Sequence, residues 1–231
     1  MVTIIERAPA KINLGLDIQG KRSDGYHDLS MVMVSIDLCD YVTVDHLDED
    51  RIVFSSNCPK MPTNHNNDVY KAAQLMKDRF QIKTGVSLFL EKRIPVCAGM
   101  GGGSSDAAAT IRALNQLWHL DLSQKDMIEI GMQIGSDVPY CLVAGCAQVT
   151  GKGEVVSQLA GQLSSWVVLV NQNLAFRHAQ YFRILIVTPF QECLLLIWLL
   201  RLKRVTIMAY WLKWAILWKI FPLPSVPLFK K

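Results

Sequence analysis

Four glycines in five positions, Gly99-Met100-Gly101-Gly102-Gly103, followed by Ser104-Ser105-Asp106, form the segment of this 231-residue sequence best suited to hold an anion. Glycine admits positive φ and puts no Cβ between the backbone N–H groups and a ligand. A helix beginning after such a loop adds unpaired donors and the positive end of its dipole, which suits phosphate. Ser104 and Ser105 can add hydroxyls, to phosphates or to a metal ion. Glycine loops also serve simply as turns. This one lacks the Lys-Ser or Lys-Thr that closes a Walker A loop, and its spacing fails the dinucleotide fingerprint.

Phosphoryl transfer to an alcohol needs held phosphates, neutralised charge and an oriented hydroxyl. Asp137, within Gly135-Ser136-Asp137-Val138-Pro139, has the chemistry of a base for that hydroxyl, though Asp beside Gly and Pro is also an ordinary turn residue. Lys11 lies in an otherwise apolar strand, where it is either solvated or directed into a cleft to favour a charged carboxylate and stabilise transferred charge. Asn13, two residues along, shares that face, unless it only closes a strand end. Tyr26 and His27 follow Gly25, and such a pair either anchors a loop or stacks on a base and bonds its edge.

The elements that must position these residues read as α+β. Residues 2–6 and 10–18 are predicted strands, followed by a turn rich in Gly, Ser and Asp between Asp17 and His27, then strands at 29–38, 41–44 and 52–54. Asp68 to Phe80 carries the 3.6 period of a helix with one buried face. Strands are predicted at 86–90 and 94–96, a helix over 107–118, and a second over 124–134 with Ser123 as its N-cap. Further strands are expected at 140–143, 147–150 and 166–170.

At 51% hydrophobic and 19% charged the chain can bury a substantial core. Its cysteines, Cys39, Cys58, Cys97, Cys141, Cys146 and Cys193, include no CxxC pair, and no basic stretch leads into an apolar run at the N-terminus. A reduced, cytoplasmic setting follows, with no disulfide framework and no zinc site. The net charge of +4 hides an asymmetry: residues 1–170 carry 15 Lys+Arg against 19 Asp+Glu, whereas 171–231 carry 9 against Glu192 alone. The expected partner is a small molecule rather than nucleic acid or a membrane.

Four segments in order resemble the motifs of the GHMP kinases, in the version found in the 4-diphosphocytidyl-2-C-methyl-D-erythritol kinases. Ala8-Pro9-Ala10-Lys11-Ile12-Asn13-Leu14 is similar to the first motif, and Gly25-Tyr26-His27-Asp28-Leu29 to the substrate loop. Pro95-Val96-Cys97-Ala98-Gly99-Met100-Gly101-Gly102-Gly103-Ser104-Ser105 resembles the ATP-binding motif, and Gly135 to Pro139 the catalytic-aspartate motif. The resemblance implies an α+β domain like ribosomal protein S5 domain 2, spanning residues 1–170, that binds ATP with Mg²⁺ through residues 95–105. It implies that Asp137 and Lys11 are catalytic and that Asn13, Tyr26 and His27 contact the substrate. Asp106 reads by default as a first-turn carboxylate favoured by the helix dipole, with Mg²⁺ or phosphate positioning as its competing role, and stays outside the catalytic set.

After residue 170 the resemblance stops, and the small second domain the family would carry is largely missing. All 14 glycines lie before that point, and 171–231 hold no Asp but four of six tryptophans. Codons permitted by residues 171–183 can be read one base earlier to give family-like text, and the same shift works for 214–230. The segment is therefore read as a frameshifted remnant. Its apolar runs are too short or too interrupted by Lys213 and Lys219 to span a bilayer.

Overall fold

The computed structural model describes residues 3–160 together with Val167 and Leu169, so the rest of the strand expected at 166–170 and the 171–231 segment lie outside the described residues. Met1–Leu163 form one compact unit. Its scaffold is a long antiparallel hairpin, β1 (Thr3–Lys21) and β2 (His27–Leu47). β1 runs along one edge of β2. The opposite edge of β2 pairs with two strands in turn, β4 (Gly85–Glu91) along 41–47 and β5 (Cys146–Gly151) along 29–34. β3 (Ile52–Ser56) joins β4 in parallel, and β6 (Val155–Gln158) joins β5 antiparallel.

The expected strands 2–6 and 10–18 are thus one element, as are 29–38 and 41–44. Register shifts between Pro9 and Lys11, Asn13 and Gly15, and Ile18 and Gly20 break the alternation that would have shown a single strand. Bulges of this kind bend a strand and re-aim its side chains. The first two bracket Lys11 and Asn13.

Helix α1 (Asp68–Phe80) has the predicted bounds: the Asn67 side chain accepts the Val69 N–H at 2.9 Å, and Gln81 leaves the helix in the left-handed region. Helix α2 (Gly102–Leu117) buries Ala107, Ala108, Ala109, Ile111, Ala113 and Leu114, and touches β1, β2, α1, α3 and α4. Its alanines keep the backbone close to the sheet, and each buried methyl-sized side chain contributes on the order of 1 kcal/mol. Helix α3 (Gln124–Met132) opens with the expected Ser123 cap, completed as a capping box by Asp126.

Two expected strands are absent. Ile94–Val96 forms no strand, because the Asp40 carboxylate takes the N–H groups of Arg93 and Ile94 and Pro95 has none to give. Residues 140–143 belong to a short helix, α4 (Val138–Val143). Pro139 fits its first turn, and the Tyr140 hydroxyl donates to Gly145 O at 2.6 Å, folding the apolar run back on itself.

Candidate active site

Lys11 is the hub of the site. Its side chain is 6% exposed, and its Nζ lies 3.4 Å from Asp137 Oδ2 and 3.3 Å from Asn13 Oδ1. Its backbone N–H donates to Met100 O at 2.9 Å, which fixes β1 to the glycine loop. The aliphatic stem passes directly beside Gly101: a Cβ there would fall 2.8 Å from Lys11 Cγ and 3.1 Å from Cε. Lys11, Asn13 and Asp137 are therefore brought together beside the loop.

The loop backbone alternates in a way that explains its composition. Positive φ recurs at Cys97 (58°), Gly99 (73°) and Gly101 (66°), every second residue. Such alternation turns successive N–H groups toward a common side and makes the concave nests that receive anions. Gly101 is also the N-cap of α2, so its left-handed turn delivers the chain into the first helical turn at Gly102, Gly103 and Ser104, whose N–H groups a helix leaves without intrahelical partners. Cys97 is the one non-glycine of the three, and the left-handed region costs an L-residue roughly 1–2 kcal/mol.

Not every predicted loop residue faces outward. Ser105 is 1% exposed; its hydroxyl donates to Pro9 O at 2.8 Å and its N–H to Gly101 O at 2.8 Å, so it anchors the loop to β1. Ser104 is half-buried, near the Gly135 turn. Pro95, Val96 and Cys97 are exposed, Ala98 and Gly99 partly so, and Met100 is buried. Asp106 differs from its expected role. α2 begins at Gly102, which puts Asp106 beyond the first turn, where it is 1% exposed and paired with Lys92 at 2.8 Å. Burial pushes its carboxyl up to about 8, against the pull of Lys92.

Asp137 stands at the N-cap position of α4, 22% exposed and without a side-chain cap bond, and burial and the Asp137 charge push the Cys141 thiol up to about 12. Cys141 therefore stays a neutral thiol beside the carboxylate. Tyr26 and His27 are placed at the β1–β2 turn, where His27 pairs with Lys21, eight residues along β1 from Asn13 and ten from Lys11. A second turn ties the two regions. In the β5–β6 connection, Gly153 packs so closely on Ser136 that a Cβ would lie 2.7 Å from Ser136 O, and the adjacent Lys152 Nζ stands 5.2 Å from the Tyr26 ring and 3.6 Å from Asp24 Oδ2. Lys152 was not singled out from sequence, since a lysine in a Gly-Lys-Gly turn reads as solvated. Among the described residues, no three His, Cys, Asp or Glu side chains gather as a metal site.

Residues 67–145 match the GHMP kinases N terminal domain. A Streptococcus equi subsp. zooepidemicus protein, provisionally named 4-diphosphocytidyl-2-C-methyl-D-erythritol kinase, is 79% identical over 170 residues, covering 74% of this chain and 60% of the relative. A Streptococcus mutans protein with the same provisional name is 59% identical over 180 residues, 78% of this chain and 64% of the relative. The chain thus spans less than two thirds of these relatives. A crystal structure of 4-(cytidine 5'-diphospho)-2C-methyl-D-erythritol kinase superimposes with a TM-score of 0.60 at 36% identity, over 68% of this chain and 55% of that one. The homoserine kinase of Cytophaga hutchinsonii, at 19% identity and a TM-score of 0.61 over 83% of this chain and 62% of that one, shares the fold. With its bulged hairpin and its glycine loop opening α2, the chain carries a GHMP kinase N-terminal domain, matched across residues 67–145.

Proposed function

We propose that this domain performs ATP-dependent phosphorylation of the 2-hydroxyl of 4-diphosphocytidyl-2-C-methyl-D-erythritol, a step toward isoprenoid precursors in the cytoplasm. The observation that carries the reading is the single side chain of Lys11, whose stem lies against Gly101 of the loop and whose ammonium lies 3.4 Å from Asp137. A phosphate held at the loop and a hydroxyl held at Asp137 are thereby brought to either end of one cation. The amides of residues 97–104 hold the phosphates and Asp137 takes the proton of the attacking hydroxyl. The new O–P bond forms to the γ-phosphorus as the bond to the bridging oxygen breaks, releasing ADP. Lys11 faces the negative charge that develops between them. Mg²⁺ bound with ATP supplies further neutralisation of the phosphates.

Tyr26, whose ring lies 5.2 Å from Lys152 Nζ, and His27 are the side chains suited to the cytosine end of the substrate. The names of the 79% and 59% identical relatives support this substrate over homoserine, mevalonate or a sugar.

A second reading is favoured by one fact: the chain covers 60% of its relatives' length. In this reading the 231-residue polypeptide is an inactive remnant that binds nucleotide at most, residues 171–231 being frameshifted text. A coupled ADP-release assay separates the two. Turnover that depends on the diphosphocytidyl substrate and is lost in Asp137→Ala and Lys11→Met supports the kinase. Turnover absent from the chain but present once the frame is restored supports the remnant, and turnover absent from both refutes the substrate assignment.

A further inference from the structure

Three charged side chains outside the proposed reaction centre are buried together at the two ends of the glycine loop. Asp40, on β2, is 0% exposed; its Oδ1 accepts the N–H groups of Arg93 and Ile94, the latter at 2.8 Å, and its Oδ2 accepts a hydrogen bond from Lys92 Nζ. The same Nζ donates to Asp106 Oδ2 at 2.8 Å, on α2. The Lys92 and Asp106 side chains are 6% and 1% exposed. Residues 92–94 enter the loop and Asp106 leaves it, so one ammonium joins both ends across the intervening segment. It also touches the loop itself: a Cβ on Gly102 would lie 3.1 Å from Lys92 Nζ.

Stability alone does not account for this choice of residues. Replacing a buried ionic cluster with apolar side chains of like volume is often neutral or favourable, whereas removing one partner leaves a buried charge uncompensated. Apolar packing is non-directional, while an ammonium shared by two carboxylates fixes where its partners sit. Residues 92–101 have no helix or strand of their own to do so.

We propose that Asp40, Lys92 and Asp106 form a positioning clasp that sets the span of the glycine loop, holding its nest-forming backbone and Gly101 in register with Lys11 so that phosphate meets a preformed cradle. The proposal rests on the reading of residues 95–105 as a nucleotide loop. The cluster itself favours a neutral total. Burial raises the Asp106 carboxyl, and although burial works against the Lys92 ammonium, Asp106 and Asp40 outweigh it and hold Lys92 above its ordinary value. The Oδ1 of Asp106 is buried with no hydrogen-bond partner, which a carboxylic acid tolerates better than a carboxylate.

The test uses the 231-residue chain with Lys92→Met, Asp106→Leu and Asp106→Asn, read by amide hydrogen exchange and by ATP titration below the unfolding range. The clasp predicts that Lys92→Met and Asp106→Leu speed exchange across residues 95–105 at least tenfold while α1 (Asp68–Phe80) keeps its protection, and that ATP affinity falls at least tenfold. Asp106→Asn retains an acceptor for Lys92 Nζ and restores both readouts to within about threefold. Exchange in 95–105 matching the unsubstituted chain overturns the clasp. So does protection lost equally from α1, the mark of a general core role. If the unsubstituted chain binds no ATP, the nucleotide reading fails by itself, and the exchange pattern still decides the clasp.

Discussion

Asp106→Asn should change how the stability of the protein depends on pH. Asp106 has a folded-state value of about 8 against an ordinary 3.8, because burial disfavours its charge more than Lys92 favours it. The folded protein therefore holds this proton where the unfolded chain has released it. By linkage, stability falls as pH rises from about 4 to about 8 and levels off above, where both states are ionised. At about 1.4 kcal/mol per pH unit, the loss between pH 5 and pH 7 is on the order of 2.5 kcal/mol. For a unit of this size that is a fall in Tm of about 5–10 °C. Asn mimics the neutral acid and carries no such proton, so the slope should vanish in the variant and its advantage over the unsubstituted chain should grow toward pH 8. Asp24, Asp50 and Asp126 are held below their ordinary values, Asp24 by the Tyr26 N–H, Asp50 by Lys77 and Asp126 by Ser123. Their contributions are lost only as pH falls below about 4. All other groups are common to both proteins and cancel in the difference. Thermal denaturation at pH 5, 6, 7 and 8 measures it. Parallel curves for the two proteins would show that Asp106 ionises like an ordinary carboxylate, and the reasoning would be wrong.

Three further perturbations read the loop and the turn beside it. Gly101→Ala places a methyl 2.8 Å from Lys11 Cγ at a φ of +66°, so stability should fall by about 1–3 kcal/mol and ATP affinity with it, as thermal melts and nucleotide titration will show. Cys97→Gly removes the left-handed penalty at φ +58° at the cost of added freedom in the unfolded chain, for a net gain of about 0.5–1 kcal/mol in denaturant unfolding. Lys152→Met breaks the contacts with the Tyr26 ring and Asp24 but leaves Lys11 and Asp137 alone; in the frame-restored protein it should raise KM for the diphosphocytidyl substrate several-fold with little change in KM for ATP.

The site was legible wherever residue type alone restricts geometry. Glycines at 99 and 101 stand where φ is positive, and Lys11 and Asn13 share a face, so the turns of the loop could be read from residue type, while the place of Lys11 beside it was an expectation of the family resemblance. The Ser123 cap of α3 was equally plain, whereas the Asn67 cap of α1 is seen only in the structure. What failed were apolar runs whose partners lie far away in sequence. Ile94–Val96 looks like a strand, but its amides go to Asp40, some 50 residues earlier. Residues 140–143 look the same, and only Pro139 and the reach of Tyr140 to Gly145 and Ser35 make them helical. The buried cluster of Asp40, Lys92 and Asp106 gave no signal, because charges spread over some 65 residues read individually as surface groups.

The bond between Lys11 and Asp137 joins positions 126 residues apart, and that between Ser105 and Pro9 joins positions 96 apart. Contacts of such separation form late, after the nearer pairings have shortened the effective loop between them. On the ribosome, the β1–β2 hairpin can close as soon as about fifty residues emerge, yet its lysine must wait for almost three times that length of chain before the carboxylate arrives. Until then a charged side chain destined for burial sits on a nascent sheet beside unpaired strand edges. The interval during synthesis between those two events is therefore when this domain is most exposed to misassembly, and when a chaperone would gain most by holding it.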